Sequence, residues 1–131
     1  MEAKEPRASQ EDFDKRVVHY RDIPPIELGP GAKANLVCAE RMTVSFITQE
    51  ANCRFPVHHH ESEEIVIVLE GERDAIVDGR LYRIKAGDVL TVPPNAEHGT
   101  YTYDKGCKVI EVFSPPRQDL VAKLEKVLSS R

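Results

Sequence analysis

A chain of 131 residues can bury one sizeable core but is short for two, so a single domain is expected. Its 40% hydrophobic and 31% charged residues strike an ordinary globular balance that excludes wholesale disorder. The net charge of -4, with no Lys/Arg block or basic stripe interleaved with aromatics, argues against nucleic acid as a partner.

The N-terminal stretch MEAKEPRASQEDFDKR is too polar for a secretory signal, and no run approaches the roughly 18 apolar residues of a membrane span. A cytoplasmic protein without a membrane partner is expected. Residues 1–15 lack apolar periodicity and read as a polar arm, mobile or ordered by a partner subunit, ahead of a single domain over 16–131. From Val17 onward short β-type runs are separated by turn clusters, a cadence that predicts an all-β fold. Gly29-x-Gly31-x-x-Ala34 matches a degenerate dinucleotide fingerprint, but without a strong preceding strand or a following helical pattern it reads as a loop. Strands are predicted over 42–48, 65–69, 75–77, 80–84, 89–92 and 109–113, with Asp78-Gly79 forming a hairpin turn. The run Ile65-Val66-Ile67-Val68-Leu69 is apolar on both faces, as for a central strand covered by the interior and by another layer or subunit. After Pro115-Pro116 the period changes: Leu120, Val121, Leu124, Val127 and Leu128 share one helical face and predict a C-terminal helix.

Histidine is concentrated. Four of the five lie at positions 58–60 and 98, leaving only His19 elsewhere. His58 and His60 are two apart, so on an extended strand both leave the same face and can reach one ion. Glu64 lies far enough beyond His60 for the chain to bend and bring a carboxylate to a third vertex, and His98 would come from a distant strand. Three neutral imidazoles and one carboxylate suit one divalent transition metal such as Mn, Fe, Ni or Zn, with positions open for water or substrate. The plainer alternative is a surface histidine cluster. His59, between the pair, points to the opposite face, as does Glu63 relative to Glu64. Cys38, Cys53 and Cys107 are odd in number and widely spaced, which predicts free, mostly buried thiols rather than disulfides or a zinc site.

These residues resemble the two motifs of the cupin superfamily. HxH, three or four residues, Glu, six residues, Gly is met by His58, His60, Glu64 and Gly71, and Gly, five residues, Pro-x-Gly, two residues, His, three residues, Asn by Gly87, Pro93, Asn95, His98 and Thr102. Asn95 stands where the motif has Gly, a substitution tolerated at positive φ, and Thr102 stands for the final Asn. The resemblance implies a double-stranded β-helix, or jelly-roll barrel, with the ion inside one end. The stretch Ile110-Glu111-Val112-Phe113-Ser114-Pro115-Pro116-Arg117-Gln118-Asp119-Leu120 is similar to the end of small single-domain cupins of the pectin-degradation KdgF type. That similarity implies ring opening of 4,5-unsaturated monouronates, with Glu111, Phe113 and Arg117 as the catalytic residues. Chemistry alone would let Arg117 hold a sugar carboxylate through a bidentate fork, Glu111 pass a proton, and the metal polarise an oxygen. The chain departs from the KdgF pattern in having Glu64 for a Gln ligand and Glu111 for the Asp acid/base. The rival readings are an Fe(II)-dependent dioxygenase and a non-catalytic small-molecule binding or sensor module. A homodimer is expected, since barrels of this size have exposed sheet edges to cover.

Overall fold

The computed structural model describes residues 1–130. Nine antiparallel strands follow a helix α1 (Gln10–Arg16) and a single 3-10 turn (Tyr20–Asp22): β1 (Ile26–Gly29), β2 (Ala32–Cys38), β3 (Thr43–Gln49), β4 (Arg54–His58), β5 (Glu63–Val77), β6 (Arg80–Lys85), β7 (Val89–Val92), β8 (His98–Tyr101) and β9 (Cys107–Ser114). Helix α2 (Gln118–Ser129) ends the described chain. The all-β double-stranded β-helix with one C-terminal helix is present, and it is β5 that joins its two sheets. The first half of β5 pairs with β9 and β7 in a sheet ordered β1-β2-β3-β9-β5-β7, while its second half pairs with β6 and β8 in a sheet completed by β4.

The crease between the halves is Gly71. It adopts φ 76°, and a Cβ there would meet the carbonyl oxygen of Gly106 at 2.5 Å, so only glycine lets β9 pass this close. A register shift between Val68 and Glu70 accompanies the bend. Before it Glu64, Val66 and Val68 are buried; after it Arg73 and Ala75 face the interior, while Asp74 is buried on the other face against Arg83 and Tyr103, so the inward phase moves from even to odd positions. This is why 65–69 and 75–77 read in the sequence as two strands. Asp78 and Gly79 have φ 47° and 80°, which makes the hairpin turn between β5 and β6, and Asn95 stands at φ 63° in place of the motif glycine.

The core joins Ile26, Leu36, Ile47, Val66, Val68 and Val109, sealed at one side by Leu120 and Leu124 of α2. Val121 and Val127 pack partly against it, whereas Leu128 is exposed. Val66 and Val68 face this core, but Ile65 and Leu69 are 40% and 50% exposed, so among the described residues nothing covers the outer side of β5 at these positions. The loop reading of 29–34 holds only for the turn itself: Gly29-Pro30-Gly31 connects β1 to β2, and Ala34 lies on a strand paired with Ile26. At the N-terminus α1 is capped by Ser9 and buries no residue.

Candidate metal centre and pocket

Strand register brings the histidines together. His58, the last residue of β4, is the cross-strand partner of His98, the first of β8, and their ring centroids are 4.4 Å apart. His60 lies beyond the end of β4, not on the extended strand its spacing suggested, yet its ring stands 5.6 Å from His58 and 4.7 Å from His98. The donor nitrogens of the three fall within 4.8 Å of one another. Glu64, on β5 and 4% exposed, points its Oε1 at two of them, 3.1 Å from His60 Nε2 and 3.2 Å from His98 Nε2. His59 and Glu63 are exposed.

The opposite ring nitrogens reveal the tautomers. His58 Nδ1 lies 3.2 Å from the Pro56 carbonyl, His60 Nδ1 2.9 Å from that of Ser62, and His98 Nδ1 2.8 Å from that of Ala96. A carbonyl only accepts, so each Nδ1 carries a proton, and in the neutral form of each ring Nε2 is left bare. That is the outer support typical of metal-bound histidine. Nitrogens 3.1 and 3.2 Å from a carboxylate oxygen need either a proton or a metal ion between them, and about 3.0–3.4 Å is also the spacing of neighbouring ligands around an ion bound at roughly 2.1 Å. The donor set thus fits a transition metal. Without one, burial would raise the Glu64 carboxyl, but hydrogen bonds from His60 and His98 outweigh it and bring the group down to about 2. Burial likewise pulls His98 down, but Glu64 and the Ala96 carbonyl together pull it up further, and burial, with Arg117 and the other two rings nearby, lowers His58.

A cavity of 430 Å³ opens beside this cluster and is bordered by His58, Glu64 and His98 at one side and by Glu111, Phe113 and Arg117 at another. The structure therefore brings all three tail residues to the same space as the histidines. Phe113, 2% exposed, meets His60 in a T-shaped contact at 5.4 Å, and the Arg117 guanidinium lies over the Phe113 ring, 4.9 Å from its centroid. The Arg117 fork is already engaged: Nε and Nη2 donate to Asp119 at 2.9 and 2.7 Å, which holds the Asp119 carboxyl below its usual range. Glu111 accepts from Arg73 Nη2 at 2.7 Å. Burial pushes the Glu111 carboxyl up and the Glu64 charge adds to this, so despite Arg73 it lies above the ordinary carboxylate range.

Arg73 is the functional candidate that sequence reasoning missed. It is 2% exposed, donates to Gln49 at 3.1 Å as well as to Glu111, and Gln49 in turn donates to Thr100 at 3.1 Å. Its only sequence signal is an arginine in the inward phase of β5, and the crease at Gly71 hides that phase. Elsewhere the readings divide. Thr102, at the motif's final Asn position, ties two loops by donating to Glu50 and accepting from the Cys53 amide, and Cys53 and Cys107 are buried free thiols while Cys38 is exposed. Tyr103 is 45% exposed and donates to Asp74. Among the described residues no helix is long and apolar enough to cross a membrane.

A family model described as a cupin domain matches residues 45–113, more than half of the chain. The chain belongs to the cupin family. Within that family the chain is 27% identical over 97 residues to the pectin degradation protein KdgF of Dickeya dadantii, a match covering 72% of this chain and 88% of the relative. It is 26% identical over 129 residues to an H2HPP isomerase of Bacillus subtilis, spanning 97% of this chain but only 52% of that protein. Among solved structures, an RmlC-like cupin from Shewanella frigidimarina superposes with a TM-score of 0.74 at 27% identity, covering 80% of this cupin and 95% of the other. This is a small cupin resembling KdgF.

Proposed function

We propose that this cupin is a metal-dependent enzyme that rearranges a small acidic sugar or related hydroxy-carbonyl compound, in the specific form of KdgF-like ring opening of unsaturated uronates. The observation that carries the reading is that one cavity is bordered by His58, Glu64 and His98, by Glu111 and by Arg117. His58, His60, Glu64 and His98 would hold a divalent ion, which when bound supplies Lewis acidity toward a substrate oxygen. Arg117 keeps donors beyond the two given to Asp119 and would receive the substrate carboxylate, its plane set by stacking on Phe113. Glu111, partly buried and with its carboxyl raised by that burial and by the Glu64 charge, is suited to hand a proton to or from the substrate, with Arg73 fixing the carboxylate's orientation. The likeness to a pectin degradation protein supports a sugar-derived substrate, and the likeness to an isomerase supports a rearrangement without net oxidation.

The test is direct. Protein loaded separately with Mn, Fe, Ni or Zn is incubated with 4,5-unsaturated galacturonate and the product is followed by NMR. Linear keto sugar appearing faster than in the blank supports the proposal; no acceleration with any of the four metals overturns the substrate.

A further inference from the structure

The cavity reaches past the groups that the proposed reaction uses. His58 and His98 are cross-strand partners at the metal level, and the next pair along the same two strands to border the cavity is Phe55 with Thr100. Thr100 stands two residues beyond His98, roughly 7 Å further along β8. On the other sheet Ile47 stands one inward step beyond Ser45, the partner of Glu111. β1 lies directly against Phe55, since a Cβ on Gly29 would come within 3.2 Å of its ring, and this brings Leu28 to the same end. Lys123 ties α2 to β1 by donating to the Glu27 carbonyl at 3.1 Å, which places Leu120, one helical turn before it, there as well. Leu28 and Phe55 are only half-buried, so a ligand in the cavity can cover them. Polar competition at this end is small: the Thr100 hydroxyl accepts from Gln49, the Lys123 ammonium is given to Glu27, and the Arg54 guanidinium lies over the Tyr101 ring.

We infer that Leu28, Ile47, Phe55 and Leu120 form an apolar arm of the site that takes a hydrocarbon substituent of about phenyl size, so that this cavity accepts hydroxy or oxo acids with an apolar body and not sugar acids alone. A sugar hydroxyl pressed against this wall would lose water and meet only carbon, which is costly, whereas a hydrocarbon group gains by leaving water there. The cavity volume of 430 Å³ falls in the range of about 300–1,000 Å³ that holds drug-sized ligands, room that a six-carbon acid at the metal end leaves unfilled. The inference rests on the reading above, in which Arg117 receives a carboxylate and the metal an oxygen of the same molecule. It adds a ligand class that a monouronate does not represent, one whose hydrocarbon part points toward β1.

Two 2-hydroxy acids that differ only by a phenyl group, L-lactate and L-3-phenyllactate, test this by calorimetric titration of the zinc-loaded protein. The wild type is expected to bind phenyllactate on the order of 10- to 100-fold more tightly than lactate, the effect of burying most of a phenyl group. Phe55→Ala removes part of the wall and Leu28→Phe fills the arm from the other side; each should lower the ratio of the two affinities at least about threefold. Because the two variants act in opposite senses on the space, one too unstable to titrate leaves the other to decide. Equal affinities in the wild type, or a preference unchanged in either variant, overturns the apolar arm while leaving the acid-binding reading standing. If neither acid binds, that reading fails and the arm built on it fails too.

Discussion

The barrel interior holds two polar clusters of opposite character. The histidine cluster is made of neutral bases whose Nδ1 protons are spent on backbone carbonyls, so their remaining lone pairs converge where no protein donor waits. The cluster around Arg73 is a charge pair that neutralises itself, Arg73 to Glu111 at 2.7 Å, extended to Gln49 and Thr100. One cluster needs a metal ion or added protons to hold its present geometry; the other already has its countercharge. A catalytic metal and a proton-transfer group placed side by side in this way keep separate electrostatic roles, one open to ligands and the other closed on itself.

The sharpest way to break this contrast is to remove a convergent nitrogen. His98→Ala should lower metal affinity by at least about 100-fold and take activity with it, since outer partners of metal ligands alone are worth 10- to 100-fold; competitive chelator titration measures this. Breaking the closed pair comes next. Arg73→Met leaves Glu111 buried without its partner and should cost about 3–5 kcal/mol in urea unfolding, whereas Arg73→Met with Glu111→Leu should recover much of that loss. The pH–rate profile then probes the raised carboxyl: if Glu111 serves as base, activity falls as pH drops through a value above the ordinary carboxylate range, and Glu111→Gln removes that limb. The smallest effect is expected at His59, which sits between two of the converging histidines but is exposed: His59→Ala should leave metal affinity within about twofold.

The same contrast explains what could be read from the chain. His58, His60 and Glu64 are close in sequence, and His98 completes a spacing pattern, so a one-dimensional reading reaches them even though His60 proves to lie past the strand end. The Asp78-Gly79 hairpin and the C-terminal helix are equally local, being set by φ preference and by a 3.6-residue period. The Arg73 cluster depends on register. Arg73 meets Gln49 across 24 positions and Glu111 across 38, through three strands whose alignment follows from a crease at Gly71. That crease falls among Glu70, Gly71 and Glu72, which look like a loop and not like the middle of a 15-residue strand. β1 and β2 were missed for a related reason: their inward residues include the small Ala32 and Ala34, alternating with Lys33 and Asn35, a pattern with little apolar signal until β3 is laid beside it.

Stepwise addition of Co(II) to chelator-stripped protein, followed by visible absorption, tests the metal centre most directly. Ligand-field bands that saturate at one equivalent in the wild type and are lost in His98→Ala are the expected result. Bands that never develop, or that develop equally in His98→Ala, would contradict a metal centre built on His58, His60, Glu64 and His98.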